Sequence, residues 1–175
     1  MAVGKPVLTD AIQDYLREIY KVAAEGEPVS VTVLSKRLGV APASASAMVK
    51  KLAALELITH EPYGGVALTD AGEKVALEII RHHRLLELYL AQTLGLHVDD
   101  VHDEAERLEH AISEELEAKI DRALGYPTHD PHGDPIPDAK LRWPAAKRPV
   151  RGTRTGGGGT GEPGGSPAKA ASGSR

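Results

Sequence analysis

VTVLSKRLGVAPASASAMVKKLAALELITHEPYGGVAL, residues 31–68, is the stretch whose reading decides the fold. Val31 to Leu38 has the spacing of a short helix, Gly39 supplies a tight turn, and Pro42 suits the first turn of a second helix running to about Leu55. That is helix–turn–helix spacing. Ile58 to Glu61 and Gly65 to Leu68 read as two short strands joined at Pro62-Tyr63-Gly64, a small hairpin or wing. The unit has the pattern of a winged helix–turn–helix, a pattern that helical hairpins with a glycine turn share in part.

The second helix carries the chemistry that would meet a nucleic acid. Ala43, Ser44, Ser46 and Ala47 are small enough for close approach to a major groove. The serine hydroxyls, Lys50 and Lys51 can reach phosphates, and Lys36 and Arg37 at the end of the preceding helix add positive charge. The helix offers no Arg, Asn or Gln for bidentate base reading. Direct readout is therefore expected to be weak, with operator choice resting on DNA shape and dimer spacing.

Upstream, Thr9 or Asp10 caps a first helix to about Ala24 whose buried face is Ile12, Tyr15, Leu16, Ile19 and Tyr20. Asp14 falls on the opposite side, where simple exposure explains it. Downstream, Thr69 or Asp70 opens a long helix to about Gln92, closed by Gly95. Asp99 to His110 forms the next helix, and Ser113 caps a last one that stops at Gly125.

Two of these helices carry metal-type side chains. In VHDEAERLEH, residues 101–110, His102, Glu106, Glu109 and His110 stand at i, i+4, i+7 and i+8, one helical stripe beside the apolar stripe of Val101, Ala105, Leu108 and Ile112. Crowded carboxylates repel unless a cation lies between them. A solvated acidic face fits the same spacing. RHHRLLELYL, residues 81–90, adds His83 and Glu87 at i, i+4. Two helices each presenting a His/Glu pair can converge on one or two ions through nitrogen and oxygen.

Three helices with few large apolar residues make a thin core, so their apolar faces point to a homodimer. PTHDPHGDPIP, residues 127–137, can be neither helix nor central strand and is read as a connector. His129, Asp130 and His132 carry metal-type side chains, but a Pro/Gly-rich turn is a poor setting for them. The Gly/Ser/Pro-rich sequence beyond cannot bury a core, and residues 138–175 are expected to be a disordered basic tail.

The net charge of −4 hides an uneven distribution. Residues 28–66 hold four bases and two acids, residues 70–125 six bases and fourteen acids, and residues 138–175 eight bases and two acids. With no Phe and one Trp, the core must be aliphatic. The absence of cysteine excludes disulfides and thiolate zinc sites. With no apolar run long enough for a membrane span and no signal segment at the N-terminus, a cytoplasmic protein is expected.

The wing segment EPYGGVALT, the pair RHHRLLE and VHDEAERLEH, and the connector PHGDPIP together resemble the diphtheria-toxin-repressor family of metal-dependent transcriptional regulators, over roughly Leu8 to Pro137. The resemblance implies a mainly α fold: a winged helix–turn–helix DNA-binding domain (1–69) followed by a helical metal-binding and dimerisation domain (70–137). It also implies a homodimeric repressor, activated by Mn(II) or Fe(II), on a palindromic operator, and no enzyme. Asp14 and Glu106 stand where iron-responsive members have Met and Cys, and where the manganese branch has Asp and Glu. Hard oxygen in place of sulfur favours Mn(II).

By that resemblance Asp14, Glu106, Glu109 and His110 form the regulatory site. His83, Glu87 and His102 match the ancillary site of iron-type regulators. Two features depart from the family. Arg17 stands where the manganese branch has a second Glu, and the small C-terminal β-domain has no counterpart. A small metalloenzyme and a metal-independent winged-helix regulator are the alternative readings; the first would need an open metal position and a separate general base.

Overall fold

The structure, a computed structural model, describes residues 8–61 and 65–144. The elements follow in the order α1 (Asp10–Ala24), α2 (Val31–Arg37), α3 (Pro42–Ala54), β1 (Ile58–Glu61), β2 (Gly65–Leu68), α4 (Asp70–Leu94), α5 (Val101–Leu108) and α6 (Glu114–Ala123). The fold is mainly α, as the sequence predicts.

Local chemistry places the boundaries. Ser30 caps α2 by accepting from the Val33 amide at 3.2 Å, and Pro42 opens α3, where its missing N–H costs nothing. Thr69 does two things at the start of α4: its hydroxyl accepts from the Gly72 amide at 3.1 Å and donates to the Glu56 carbonyl at 2.8 Å. The turn between α3 and β1 is thereby tied to the long helix. Gly72 must be glycine, because a Cβ there would lie 2.0 Å from the Leu57 carbonyl oxygen. β1 and β2 pair antiparallel, with Ile58 opposite Leu68 and His60 opposite Val66.

Two apolar cores result, and α4 serves both. Leu16, Ile19 and Val22 of α1 pack with Leu34, Val49, Leu52, Ile58, Val66 and Ala76 in the first. Leu85, Leu86 and Leu88 pack with Ala105, Ile120 and Ile136 in the second. At 25 residues, α4 runs about 38 Å and joins the modules as a continuous beam, with α1 lying against it.

Two expectations are corrected. The helix expected over Asp99–His110 is shorter: α5 ends at Leu108, with Glu109 as its C-cap. Asp138–Pro144, placed in the disordered tail, are ordered. Asp138 caps a tight turn, accepting from the Lys140 and Arg142 amides at 2.8 and 2.9 Å, and Trp143 docks on Tyr20. The remainder of that tail lies outside the described residues.

Candidate metal centre

One cluster sits between α4 and α5. His83 Nε2 lies 3.0 Å from Glu87 Oε1 and 3.1 Å from His102 Nδ1, and His102 Nδ1 lies 3.0 Å from the same Glu87 oxygen. The i, i+4 spacing on α4 brings the first pair together, and His102 reaches across from the first turn of α5. Burial alone would lower the His83 pKa, but hydrogen bonds to the Glu109 and Glu87 carboxylates outweigh it and carry His83 up to about 8. Burial would raise Glu87, and the neighbouring His83 and His102 instead hold it down at about 2.

The second cluster spans the two modules. His110 Nε2 lies 3.1 Å from Asp14 Oδ1 and 3.3 Å from Glu109 Oε1. The other nitrogen of His110 faces the Gln13 side-chain oxygen. The Glu109 side chain is fully buried, and its second oxygen meets His83 Nδ1 at 2.6 Å. One buried carboxylate of the second cluster therefore touches the first through His83.

Arg17 stands inside the second cluster. Its guanidinium donates to Glu109 and to Asp14 (3.3 Å), and lies 3.5 Å from Glu106. It reaches three carboxylates that the family resemblance names as ligands. An uncompensated buried carboxylate would be costly, and Arg17 supplies the opposing charge at Glu109, with His83 and His110 also against its oxygens.

The expected single stripe therefore divides. His102 joins His83 and Glu87; Glu109 and His110 join Asp14. Glu106 enters neither group and lies between them, 3.6 Å from His102 and half exposed. The reason is local: His102 lies in the first turn of α5, and α5 ends at Leu108 before it reaches His110, so the two imidazoles do not share one helical face. Asp14, exposed by the helical wheel alone, faces the second module because α1 lies against α4 there.

The connector contributes a third group, although a Pro/Gly-rich turn is a poor setting for ligands. Asp130 and His132 of the connector come to Glu87, with His132 Nδ1 3.6 Å from Glu87 Oε2. The Asp130 carboxyl accepts from the His132 and Asp134 amides at 2.9 Å, which fixes the turn. Burial, the largest influence, raises its pKa despite those amides. His129 is not part of this group; it lies beside Thr128. In each of the three groups the donor atoms lie within 4.8 Å of one another. All are carboxylate oxygens or imidazole nitrogens, a set that fits a divalent cation such as Mn(II) or Fe(II).

Sequence reasoning missed the supports. His82 Nδ1 donates to the Glu109 carbonyl at 3.0 Å and its Nε2 meets Glu117 at 2.9 Å, pinning the end of α5 to α6. Arg81, buried, bonds Asp121 and the Pro137 carbonyl, both at 2.7 Å. The lone signal was charge at apolar-face positions of α4.

On α3, Ala43, Ser44, Ala47, Lys50 and Lys51 are exposed and Ser46 is half-buried, and Lys36 of α2 is exposed. Arg37 differs from expectation. It is held by Glu18, Glu25 and Glu27, so its charge is already matched within the fold.

Comparison with known proteins identifies the family. Residues 7–66 match the family described as iron dependent repressor, N-terminal DNA binding domain, and residues 69–138 match iron dependent repressor, metal binding and dimerisation domain. The chain is 36% identical over 110 residues to an uncharacterized HTH-type transcriptional regulator of Methanocaldococcus jannaschii, covering 62% of this chain and 88% of that one. It is 35% identical over 130 residues to the diphtheria toxin repressor of Corynebacterium jeikeium, covering 74% of this chain and 54% of that protein. It thus spans about half the length of that repressor. A solved manganese-dependent transcriptional repressor in complex with manganese superimposes with a TM-score of 0.70 at 47% identity, over 77% of this chain and 62% of the other. The chain belongs to the iron-dependent repressor family, that of the diphtheria toxin repressor.

Proposed function

We propose that the protein is a metal-activated transcriptional repressor that binds a palindromic operator as a homodimer, with Mn(II) or Fe(II) as the activating ion. The observation that carries this reading is that Asp14, on the first helix of the DNA-binding module, shares one cluster with Glu109 and His110 of the metal-binding module. An ion held by all three supplies a charge-dense link between the modules and favours the one relative orientation in which they meet. Glu106 is the adjacent fourth carboxylate. His83, Glu87 and His102, with Asp130 and His132 beside Glu87, form the ancillary set, which lies wholly outside the DNA-binding module.

The donor set favours Mn(II) or Fe(II) over softer ions, because it contains no sulfur. Lys36, Ala43, Ser44, Ser46, Ala47, Lys50 and Lys51 form the DNA-facing surface, with phosphate contacts dominating base contacts. Exposed Leu94, Leu108 and Leu116 on the helices of the second module favour pairing with a second copy. Among the described residues no helix is long and apolar enough to cross a membrane. A regulator is favoured over a metalloenzyme because the named relatives are repressors.

The test is fluorescence anisotropy on duplexes selected by the full chain from a random pool, titrated with Mn(II), Fe(II), Zn(II) and with chelator. Tight binding that needs metal and follows Mn(II) or Fe(II) is expected. Equal binding in chelator would contradict the reading.

A further inference from the structure

Outside the clusters, a side-chain assembly of Tyr20, Arg84 and Trp143 joins the modules without any ion. Trp143 Nε1 donates to the Tyr20 hydroxyl at 2.7 Å, and the two rings stack with centroids 6.2 Å apart. The Arg84 guanidinium lies over the Trp143 ring, 5.5 Å from its centroid. Tyr20 belongs to α1 and Arg84 to α4, so Trp143 is held between the helix that carries Asp14 and the helix that carries His83 and Glu87.

The segment that delivers Trp143 is itself anchored. Arg81 donates to the Pro137 carbonyl and Arg84 to the Pro135 carbonyl, while Ile136 and Pro137 are buried. Asp138 then closes its turn by gripping Arg142 through both guanidinium and amide, at 2.7 Å from Nη2 and 2.9 Å from the backbone nitrogen. A rigid arm from the second module thus ends in an aromatic ring against the first. Burial raises the Tyr20 pKa, so its hydroxyl stays neutral and available at physiological pH.

We propose that Trp143 is a positioning residue, a latch that sets α1 against α4 before metal arrives and so presents Asp14 to Glu109 and His110. Tyr20 lies six residues, about 9 Å, along α1 from Asp14, so the latch and the cluster grip one helix at two points. Apolar packing of α1 on α4 is non-directional, whereas an N–H donor and a stacked ring fix a register. A site already in its binding geometry binds more tightly, because the apparent affinity scales with the population of the competent arrangement.

This inference rests on the proposed metal site, and its test separates the two. Mn(II) affinity is measured on the full chain by competition with a fluorescent chelator, for wild type, Trp143→Ala, Asp14→Ala and the double variant. Trp143→Ala should weaken the Asp14-dependent site by roughly three- to ten-fold, Trp143→Phe and Tyr20→Phe by less, and Trp143→Ala should change nothing further once Asp14 is gone. Unchanged affinity in Trp143→Ala, or an equal loss in the Asp14→Ala background, would overturn the latch.

Should Trp143→Ala fail to fold, the two Phe variants carry the test, since Tyr20→Phe deletes only the hydrogen bond and Trp143→Phe keeps an aromatic ring in place of the indole. No loss of affinity in either would then overturn the latch. The chain has one tryptophan, so its emission reports the contact without metal. Trp143 should be shielded from acrylamide in metal-free wild type and exposed by Tyr20→Ala; equal quenching would also overturn the latch. An Asp14→Ala protein that binds Mn(II) as wild type does would strike the functional reading first, and the latch with it.

Discussion

The two principal clusters use the same donor types and differ in what they join. His83, Glu87 and His102 come from α4 and α5 of one module, and their geometry is set by that module's own core. Asp14, Glu109 and His110 come from both modules, with Arg17 among them. Under the proposed function, an ion in the first would strengthen a structure that is already made. An ion in the second would change how strongly the two modules hold one another and so carry a metal signal to DNA. The difference lies in connectivity.

Glu109 is where the comparison is most exposed to test, because it touches both clusters. Glu109→Ala leaves Arg17 and His83 without their buried carboxylate, and urea unfolding of the metal-free protein should show a loss of about 3 kcal/mol or more. A near-neutral result would mean that the two clusters are independent. His102→Ala, by contrast, should lower the Mn(II) stoichiometry seen by calorimetry while metal-stimulated DNA binding persists. Loss of the DNA response would make the first cluster the sensor.

Arg17 sharpens the contrast further. A guanidinium beside three carboxylates opposes a second cation by charge alone, so Arg17→Gln should raise Mn(II) affinity at the Asp14 cluster by roughly ten-fold and leave the other cluster unchanged. Chelator competition measures both. Equal affinity would show that Arg17 moves aside at no cost.

The smallest effect is on pH. His83 is carried to about 8 against 6.5 for the free side chain, so in the metal-free protein its stabilising contribution is full below pH 6.5 and is lost as pH rises through 8. Metal affinity should move oppositely over that window, because a ligating imidazole must give up its proton. Thermal melts with and without Mn(II), from pH 6 to 9, should diverge as pH rises. Parallel curves would contradict the protonated state of His83.

The winged module was legible because its signals are local: Gly39 and Pro42 act within a few residues of themselves, as does the Thr69 cap on the Gly72 amide. The ligand types were legible for the same reason, and the resemblance added Asp14. Sequence spacing did not reveal the division of the 102–110 stripe, which depends on α5 ending at Leu108 and on partners more than ninety residues away, such as Arg17 and Gln13. For Asp130 and His132 the sequence argues against a site, because a proline-rich turn usually lacks a fixed shape, and here amide hydrogen bonds to Asp130 hold the turn. Trp143 gave no signal at all: its partner is 123 residues distant, and the composition around it argues for disorder.

The central claim is that the cluster containing Asp14 couples metal to DNA. The most direct test is Asp14→Ala, followed by Mn(II) calorimetry and operator anisotropy on the same protein. The account predicts that Mn(II) still binds at His83, Glu87 and His102 while metal-stimulated DNA binding is lost. An Asp14→Ala protein whose DNA binding still rises with Mn(II) as in wild type would contradict it.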